Sequence, residues 1–181
     1  MRILVSAASR YGSTAEIARS IGEVLSGRGL DVSVIPPEEV ATIEEYDTVI
    51  LGSAVYMGHW LDPAKEFAGR FSGELATRHV WVFSSGPVGD PSKKMVQKMG
   101  EDPLDVPEIL ATTKAEEHRV FAGKLDRKNL KGAQRASLLL FRGLEGDFRN
   151  WEEIKAWASG IADALSTRSP IPSSFPAYRR E

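Results

Sequence analysis

The chain has 181 residues, 42% of them hydrophobic and 27% charged, with a net charge of −2 and no cysteine. Those figures predict one soluble globular domain with a full core. They exclude disulfides, thiol catalysis and cysteine-ligated metal or iron–sulfur sites, and the small net charge points to no nucleic-acid partner.

The first predicted unit is Arg2 to Ala18, RILVSAASRYGSTAEIA. Ile3, Leu4 and Val5 form a continuous apolar run, as expected of a strand covered on both faces. From Thr14 the period changes, and Ile17, Ile21, Val24 and Leu25 recur at helical spacing. A strand feeding a helix in this way aims backbone N–H groups and the positive end of the helix dipole at one spot. That spot binds an anion, usually phosphate. The connecting loop is Ser9-Arg10-Tyr11-Gly12-Ser13-Thr14. Its single glycine excludes GxGxxG, and it lacks the lysine of GxxxxGK[ST]. Ser9, Ser13 and Thr14 are candidate hydroxyl donors. The plainer alternative is that Ser13 only caps the helix, with Glu16 three residues on completing a capping box.

Gly27 and Gly29 are the stop signals of this helix. Asp31 to Ile35 reads as a second strand, ended by Pro36 and Pro37, and Ile43-Glu44-Glu45 as a short connector. Tyr46 to Ser53 is a third strand, followed by the loop Ala54–Trp60, AVYMGHW. Asp62 and Pro63 open a helix with Phe67 and Phe71 on its inner face. His79 to Ser84 is a fourth strand, leading into Ser85-Gly86-Pro87-Val88-Gly89-Asp90. Pro107 opens a helix over roughly Glu108 to Lys114, and His118 to Ala122 is a fifth strand. Arg127 to Arg142 has a helical pattern, and Asn150 caps a last helix with Ile154, Trp157, Ala158, Ile161 and Leu165 on one face. From Ser166 the chain is rich in Pro and Ser and reads as a tail.

Strands alternating with helices five times over imply a parallel sheet covered on both faces, with ligands at the carboxyl ends of the strands. Three loops leave those ends. The first is the anion loop. The second carries Tyr56, Met57 and Trp60 around Gly58, apolar groups that either pack internally or cover a flat ligand. The third, Ser84 to Asp90, is rich in Gly and Pro and lets backbone amides approach a ligand. Together they suit a phosphorylated planar heterocycle. No dedicated acid–base pair is evident, so no catalytic residue is assigned. His59 lies beside the presumed ring site, either as a proton donor or as a surface histidine. His59, His79 and His118 lie far apart in sequence, and no metal is expected.

These residues resemble the flavodoxin-like FMN proteins. That family's phosphate loop runs hydroxyl residue, any residue, hydroxyl residue, Gly, any residue, Thr, and here it stands as Ser9 to Thr14 with Tyr11 at the second hydroxyl position. The resemblance implies a three-layer α/β sandwich with a five-stranded parallel sheet of order 2-1-3-4-5. It also implies FMN held by Ser9, Arg10, Tyr11, Gly12, Ser13 and Thr14. The loops containing Ala54, Val55, Tyr56, Met57 and Gly58, and Ser84, Ser85, Gly86, Pro87, Val88, Gly89 and Asp90, would flank the isoalloxazine ring.

Four stretches narrow the resemblance: SRYGSTAEIA, ILGSAVYMGHW, VFAGKL and DFRNWEEIKAWA. They are similar to the menaquinone-dependent protoporphyrinogen IX dehydrogenase family over about residues 1 to 165. That likeness implies an FMN-dependent oxidoreductase of heme biosynthesis with a quinone acceptor, a domain over residues 1–165 with a family-specific insert at 127–149, and a tail at 166–181. In the insert, Arg127, Lys128, Lys131, Arg135 and Arg142 are five cations with no acid among residues 127–142. Lys128, Lys131, Arg135 and Arg142 share one side of a helix, opposite Leu130, Ala133, Ala136, Leu140 and Phe141. This basic face suits an anionic membrane surface or an acidic ligand, and equally the solvated side of a core-facing helix. With no signal peptide and no run near the roughly 20 apolar residues of a membrane span, a cytoplasmic location is expected, with the membrane's inner face as a candidate contact.

Two other functions remain open. One is a one-electron carrier docking with protein partners. Such carriers usually have an acidic rim for steering, whereas Lys93, Lys94 and Lys98 accompany Asp90 here. The other is a phosphoacceptor receiver domain, which needs an aspartate at a strand end where this chain has Ser6-Ala7-Ala8.

Overall fold

The continuous apolar runs form buried parallel strands. The computed structural model describes residues 1–86, 102–125 and 146–168. In chain order these form β1 (Arg2–Ala8), α1 (Ser13–Gly27), β2 (Asp31–Val34), a short 3-10 turn at Pro37–Glu39, β3 (Thr48–Tyr56) and β4 (His59–Trp60). There follow α2 (Asp62–Arg70), α3 (Ser72–Leu75), β5 (His79–Ser85), α4 (Val106–Thr113), β6 (Glu117–Phe121), β7 (Lys124–Leu125), β8 (Gly146–Asp147) and α5 (Trp151–Ser166).

The main sheet has the order β2-β1-β3-β5-β6, all parallel, with β4 added antiparallel to β3. Counting the long strands alone, this is the expected order 2-1-3-4-5. The antiparallel β4 and the separate β7–β8 ribbon were not expected.

Alternate residues of each strand feed two cores, because side chains of a strand point to opposite faces. Ile3, Val5, Trp81 and Phe83 pack under α1 and α5, against Ile17, Ile21, Leu25, Ile154, Trp157 and Ile161. Leu4, Val49, Leu51, Val80 and Val82 pack on the other face, against Phe67, Phe71, Leu75 and Ile109. The result is a three-layer α/β/α sandwich. Each fully buried Ile, Leu or Val in it contributes about 1.5–3 kcal/mol relative to exposure.

Several boundaries differ from the sequence reading. Asp62 is the first helical residue of α2 rather than its cap, and its carboxylate pairs with Lys65 at 2.9 Å. Strand β3 runs to Tyr56 and β4 takes His59 and Trp60, so only Met57 and Gly58 of the expected loop Ala54–Trp60 are not strand. Helix α5 keeps Ser166, and Arg168 beyond it pairs with Glu116, so the chain is held three residues further than expected. Asn150 does cap α5, its side-chain oxygen accepting from Glu153 N–H at 3.2 Å. Helix α1 closes in a Schellman turn. Leu30 N–H donates to Leu25 O, Gly29 N–H to Ser26 O, and Gly29 takes φ +82. The expected helix over 127–142 lies outside the described residues, as do Pro87, Val88, Gly89 and Asp90.

Candidate functional site

Strands β1, β3 and β5 are neighbours, with Ala8 beside Ser53 and Ala54 beside Ser85 in register. Their carboxyl ends therefore place the loops after them on one edge of the sheet. Sequence order had separated these segments, and strand order brings them together.

The loop after β1 turns on Gly12, the N-cap of α1, at φ +88. A left-handed N-cap is open to glycine at no steric cost. The Ser9 hydroxyl accepts from Gly12 N–H at 3.1 Å and closes the loop. Glu16 N–H, donating to Gly12 O at 2.9 Å, makes the first intrahelical bond. The N–H groups of Ser13, Thr14 and Ala15 precede it and have no intrahelical acceptor. Thr14 Oγ is fully buried and has no hydrogen-bond partner among the described residues. A buried hydroxyl left unpaired is costly, and an anion at the helix N-terminus would satisfy it.

The capping-box alternative does not hold. Ser13 is already helical and makes no side-chain cap, and the Glu16 carboxylate turns away from the loop to Arg149 at 2.7 Å. Arg149 was not singled out from the sequence. Its guanidinium is almost wholly buried and also donates to Ser13 O at 3.0 Å and twice to Asp147, at 2.8 and 2.6 Å. Burial works against its charge, but the two carboxylates outweigh that and raise its pKa. The same contact with Arg149 holds the Asp147 carboxyl below its usual range.

The expected second loop is a tight hairpin. Tyr56 pairs with His59 across Met57 and Gly58, whose φ values are +52 and +83. Positive φ at both central residues is the pattern of a type I′ turn, where Asn-Gly is favoured. Methionine there is conformationally unfavourable, and its side chain is 98% exposed. The apolar groups of this segment divide. Trp60 is buried in the core, Tyr56 is half-buried, and Met57 projects outward. Tyr56 packs edge-on to Tyr11, with ring centroids 6.4 Å apart, and the Arg10 guanidinium lies 5.7 Å from one ring and 5.3 Å from the other. Arg10 and Tyr11 thus join the first loop to the second. Burial, with Tyr11 nearby, raises the Tyr56 pKa.

Leu104 and Asp105, just before α4, fasten the hairpin. Asp105 accepts from Trp60 N–H at 2.7 Å and lies 3.2 Å from His59 Nδ1, and Leu104 N–H donates to Gly58 O at 2.8 Å. Burial pushes the Asp105 pKa up, but these donors outweigh it and the net direction is down. His59 is therefore a clamp on the hairpin. Below it runs a chain of four side chains. Trp60 Nε1 donates to Ser84 Oγ at 2.8 Å, Ser84 Oγ lies 2.9 Å from His118 Nε2, and His118 Nδ1 lies 3.0 Å from Asp102. With His118 neutral, this order assigns its proton to Nδ1 and makes Nε2 the acceptor from Ser84. Burial lowers the His118 pKa, more than Asp102 raises it.

Of the third loop, Ser84, Ser85 and Gly86 are described and buried. Ser84 is occupied by Trp60 and His118, so it acts through the hairpin. Gly86 sits against Val55, where a Cβ would come within 3.4 Å of the Val55 Cβ. Its N–H donates to Phe121 O at 2.9 Å. Ala54 is buried within β3, and Val55 is half-buried beside it. Among the described residues no group of His, Asp or Glu is arranged to hold a metal ion.

A family model described as "Flavodoxin domain" matches residues 4–148. The chain belongs to the flavodoxin domain family. Solved structures are similar in fold. A flavodoxin from the domain Archaea is 18% identical, with 92% of this chain and 99% of that one covered at a TM-score of 0.60. The Streptococcus pneumoniae TIGR4 flavodoxin is 22% identical, covering 92% and 98% at 0.56. Rubredoxin oxygen:oxidoreductase of Desulfovibrio gigas is 16% identical, and this chain matches 91% of itself but 36% of that larger protein, at 0.60. No curated protein matches.

The cofactor of this flavodoxin domain is FMN, and its residues fit it. The orphaned Thr14 hydroxyl and the free amides of Ser13 to Ala15 would take the phosphate. Around a Cβ built on Gly12 there is open space to 4 Å. The Tyr11–Tyr56 pair stands beside this anion site, where a ring would lie. Among the described residues no helix is long and apolar enough to cross a membrane.

Proposed function

We propose that this protein is an FMN-dependent oxidoreductase that oxidises protoporphyrinogen IX, or a similar reduced and carboxylated substrate, with a quinone as electron acceptor. The carrying observation is Arg10 at the mouth of the site, beside Tyr11 and Tyr56, with no described carboxylate paired to it. Among the described residues, Asp105 at the hairpin and Asp102 are both engaged by histidines. The described rim therefore offers a cation to an acidic small molecule. The likeness of SRYGSTAEIA, ILGSAVYMGHW, VFAGKL and DFRNWEEIKAWA to the menaquinone-dependent protoporphyrinogen dehydrogenases supports the same reading.

FMN supplies the redox chemistry when bound, and the protein supplies binding, orientation and exclusion of side reactions. The roles proposed here are phosphate binding for Ser9, Gly12, Ser13 and Thr14, and ring contact for Tyr11, Tyr56, Met57, Gly58 and the segment from Ser85 to Asp90. Arg10 would recognise substrate. The basic residues Lys128, Lys131, Arg135 and Arg142 would place the protein on an anionic membrane surface where a quinone is dissolved.

The exposed apolar tip at Met57 favours a second reading, a carrier that docks this edge on a protein redox partner. Anaerobic reduction of the flavin by a panel of porphyrinogens, and its reoxidation by a panel of quinones, separates the two. Rapid turnover with porphyrinogen and quinone is expected. A flavin that exchanges electrons only with protein partners would leave the carrier reading in place.

A further inference from the structure

We propose that Arg149 is a positioning residue for the FMN phosphate, which it serves by neutralising Glu16 and polarising the first turn of α1. This rests on the FMN reading above. Nothing in the phosphate loop itself requires an arginine more than 130 residues away in sequence, so its presence under the loop needs a reason.

The first reason is charge. Glu16 sits in the first turn of α1, the turn whose free amides would receive a phosphate. Left alone, that carboxylate would repel a dianion. Arg149 Nη1 holds it at 2.7 Å; the arginine side chain is only 2% exposed, while the Glu16 side chain is 41% exposed, so the cation is shielded and the carboxylate partly screened. The second reason is the peptide between Ser13 and Thr14. Its carbonyl accepts from Arg149 Nη1 at 3.0 Å. Its N–H is the amide of Thr14, beside the buried and unpartnered Thr14 hydroxyl. A cationic donor on the carbonyl side polarises the unit and strengthens the N–H as a donor.

Arg149 is in turn held from behind. Asp147 grips it through both Nε and Nη2, and Trp151 lies under its guanidinium at 4.4 Å. Asp147 belongs to the β7–β8 ribbon, opposite Lys124. The ribbon that closes the insert thus reaches the phosphate loop through a single buried side chain.

The test is titration of the apoprotein with FMN and with riboflavin, which differ by the phosphate, followed by flavin fluorescence. Arg149→Gln should weaken FMN by about tenfold, the scale of one partly screened charge near a phosphate, and leave riboflavin within about twofold. Glu16→Gln in the otherwise unchanged protein should tighten FMN severalfold with riboflavin unmoved. The double variant should recover most of the loss seen with Arg149→Gln. Equal weakening of both flavins by Arg149→Gln would make it a purely structural residue and overturn the proposal. So would a Glu16→Gln variant whose ratio of FMN to riboflavin affinity is unchanged, and this partly exposed site decides the matter if Arg149→Gln does not fold. A wild-type protein that binds neither flavin would instead remove the cofactor reading, and this inference with it.

Discussion

Gly52 in β3 lies directly beneath the ring of Phe83 in β5: a Cβ built on Gly52 would stand 2.2 Å from Phe83 Cζ. The ring covers the glycine and continues into a cluster with Phe121 and Trp157, at centroid distances of 6.0 and 6.1 Å. An aromatic ring over a strand glycine compensates for the missing side chain. Gly52→Ala would force Phe83 out of this packing. The expected loss is about 1–3 kcal/mol, the usual range for overpacking a close-packed core. Urea unfolding measures it, and a Gly52→Ala protein as stable as wild type would show that the ring moves freely.

Thr14→Val should separate stability from binding. It replaces a buried hydroxyl, without a partner among the described residues, with a methyl group of similar shape. Apoprotein stability should therefore stay level or rise. FMN affinity should fall by very roughly ten- to a hundredfold, the loss of a hydroxyl hydrogen bond to a charged group, about 1.5–3 kcal/mol. Gly12→Val should behave differently. No atom crowds that position, but φ +88 is unfavourable for a β-branched residue, so this variant should lose stability as well as FMN. Thermal melts of the apoproteins beside flavin titrations distinguish the two patterns.

The buried His118 gives stability a pH dependence. Its pKa in the folded protein is below the ordinary 6.5 because burial disfavours the cation. The unfolded chain then binds more protons in that window. The stability contribution is present above 6.5 and is lost as pH falls through the folded value. Protonating Nε2 also removes the acceptor for the Ser84 hydroxyl and disturbs the link to Trp60 in the hairpin. Melting temperature should decline as pH falls below the ordinary 6.5, and His118→Gln should flatten that slope. Glu116 and Asp147, whose pKa values are lowered first by Arg168 and Arg149 respectively, act in a lower window. Their contributions are lost only as pH falls below the ordinary 4.5 and 3.8. An unchanged slope in His118→Gln would place the titrating group elsewhere.

Neutralising Lys128, Lys131 and Arg135 together, each to Gln, tests the proposed membrane contact. FMN affinity and the visible spectrum should stay as they were. Binding to anionic vesicles, and turnover with a lipophilic quinone, should fall by on the order of a hundredfold at low salt, at about 1 kcal/mol per cation. The effect should fade as the Debye length shrinks to about 3 Å at 1 M salt. Full vesicle binding by the triple variant would favour the docking carrier.

The sequence by itself determined the layers and the anion loop. Continuous runs such as Ile3-Leu4-Val5 and Val49-Ile50-Leu51 specify strands buried on both faces, and the change of period at Thr14 marks the helix. These signals are local, so they can be read without knowing what packs where. Element ends were less legible. Asp62 has the chemistry of a cap, but Leu61 takes the capping position because the bond from Leu61 N–H to Ser53 Oγ fixes where the chain turns. Only the tertiary structure decided which polar residues meet. Arg149 finds Glu16 across 133 positions, and Ser84 finds His118 across 34. Such pairs follow from strand order and helix placement, which depend on burial summed over the whole sheet rather than on any one stretch of sequence. Trp60 shows the same limit. As a residue of an apolar loop it suited either a ligand or the core, and the Ser84 hydroxyl, supplied by another strand, drew its indole N–H inward.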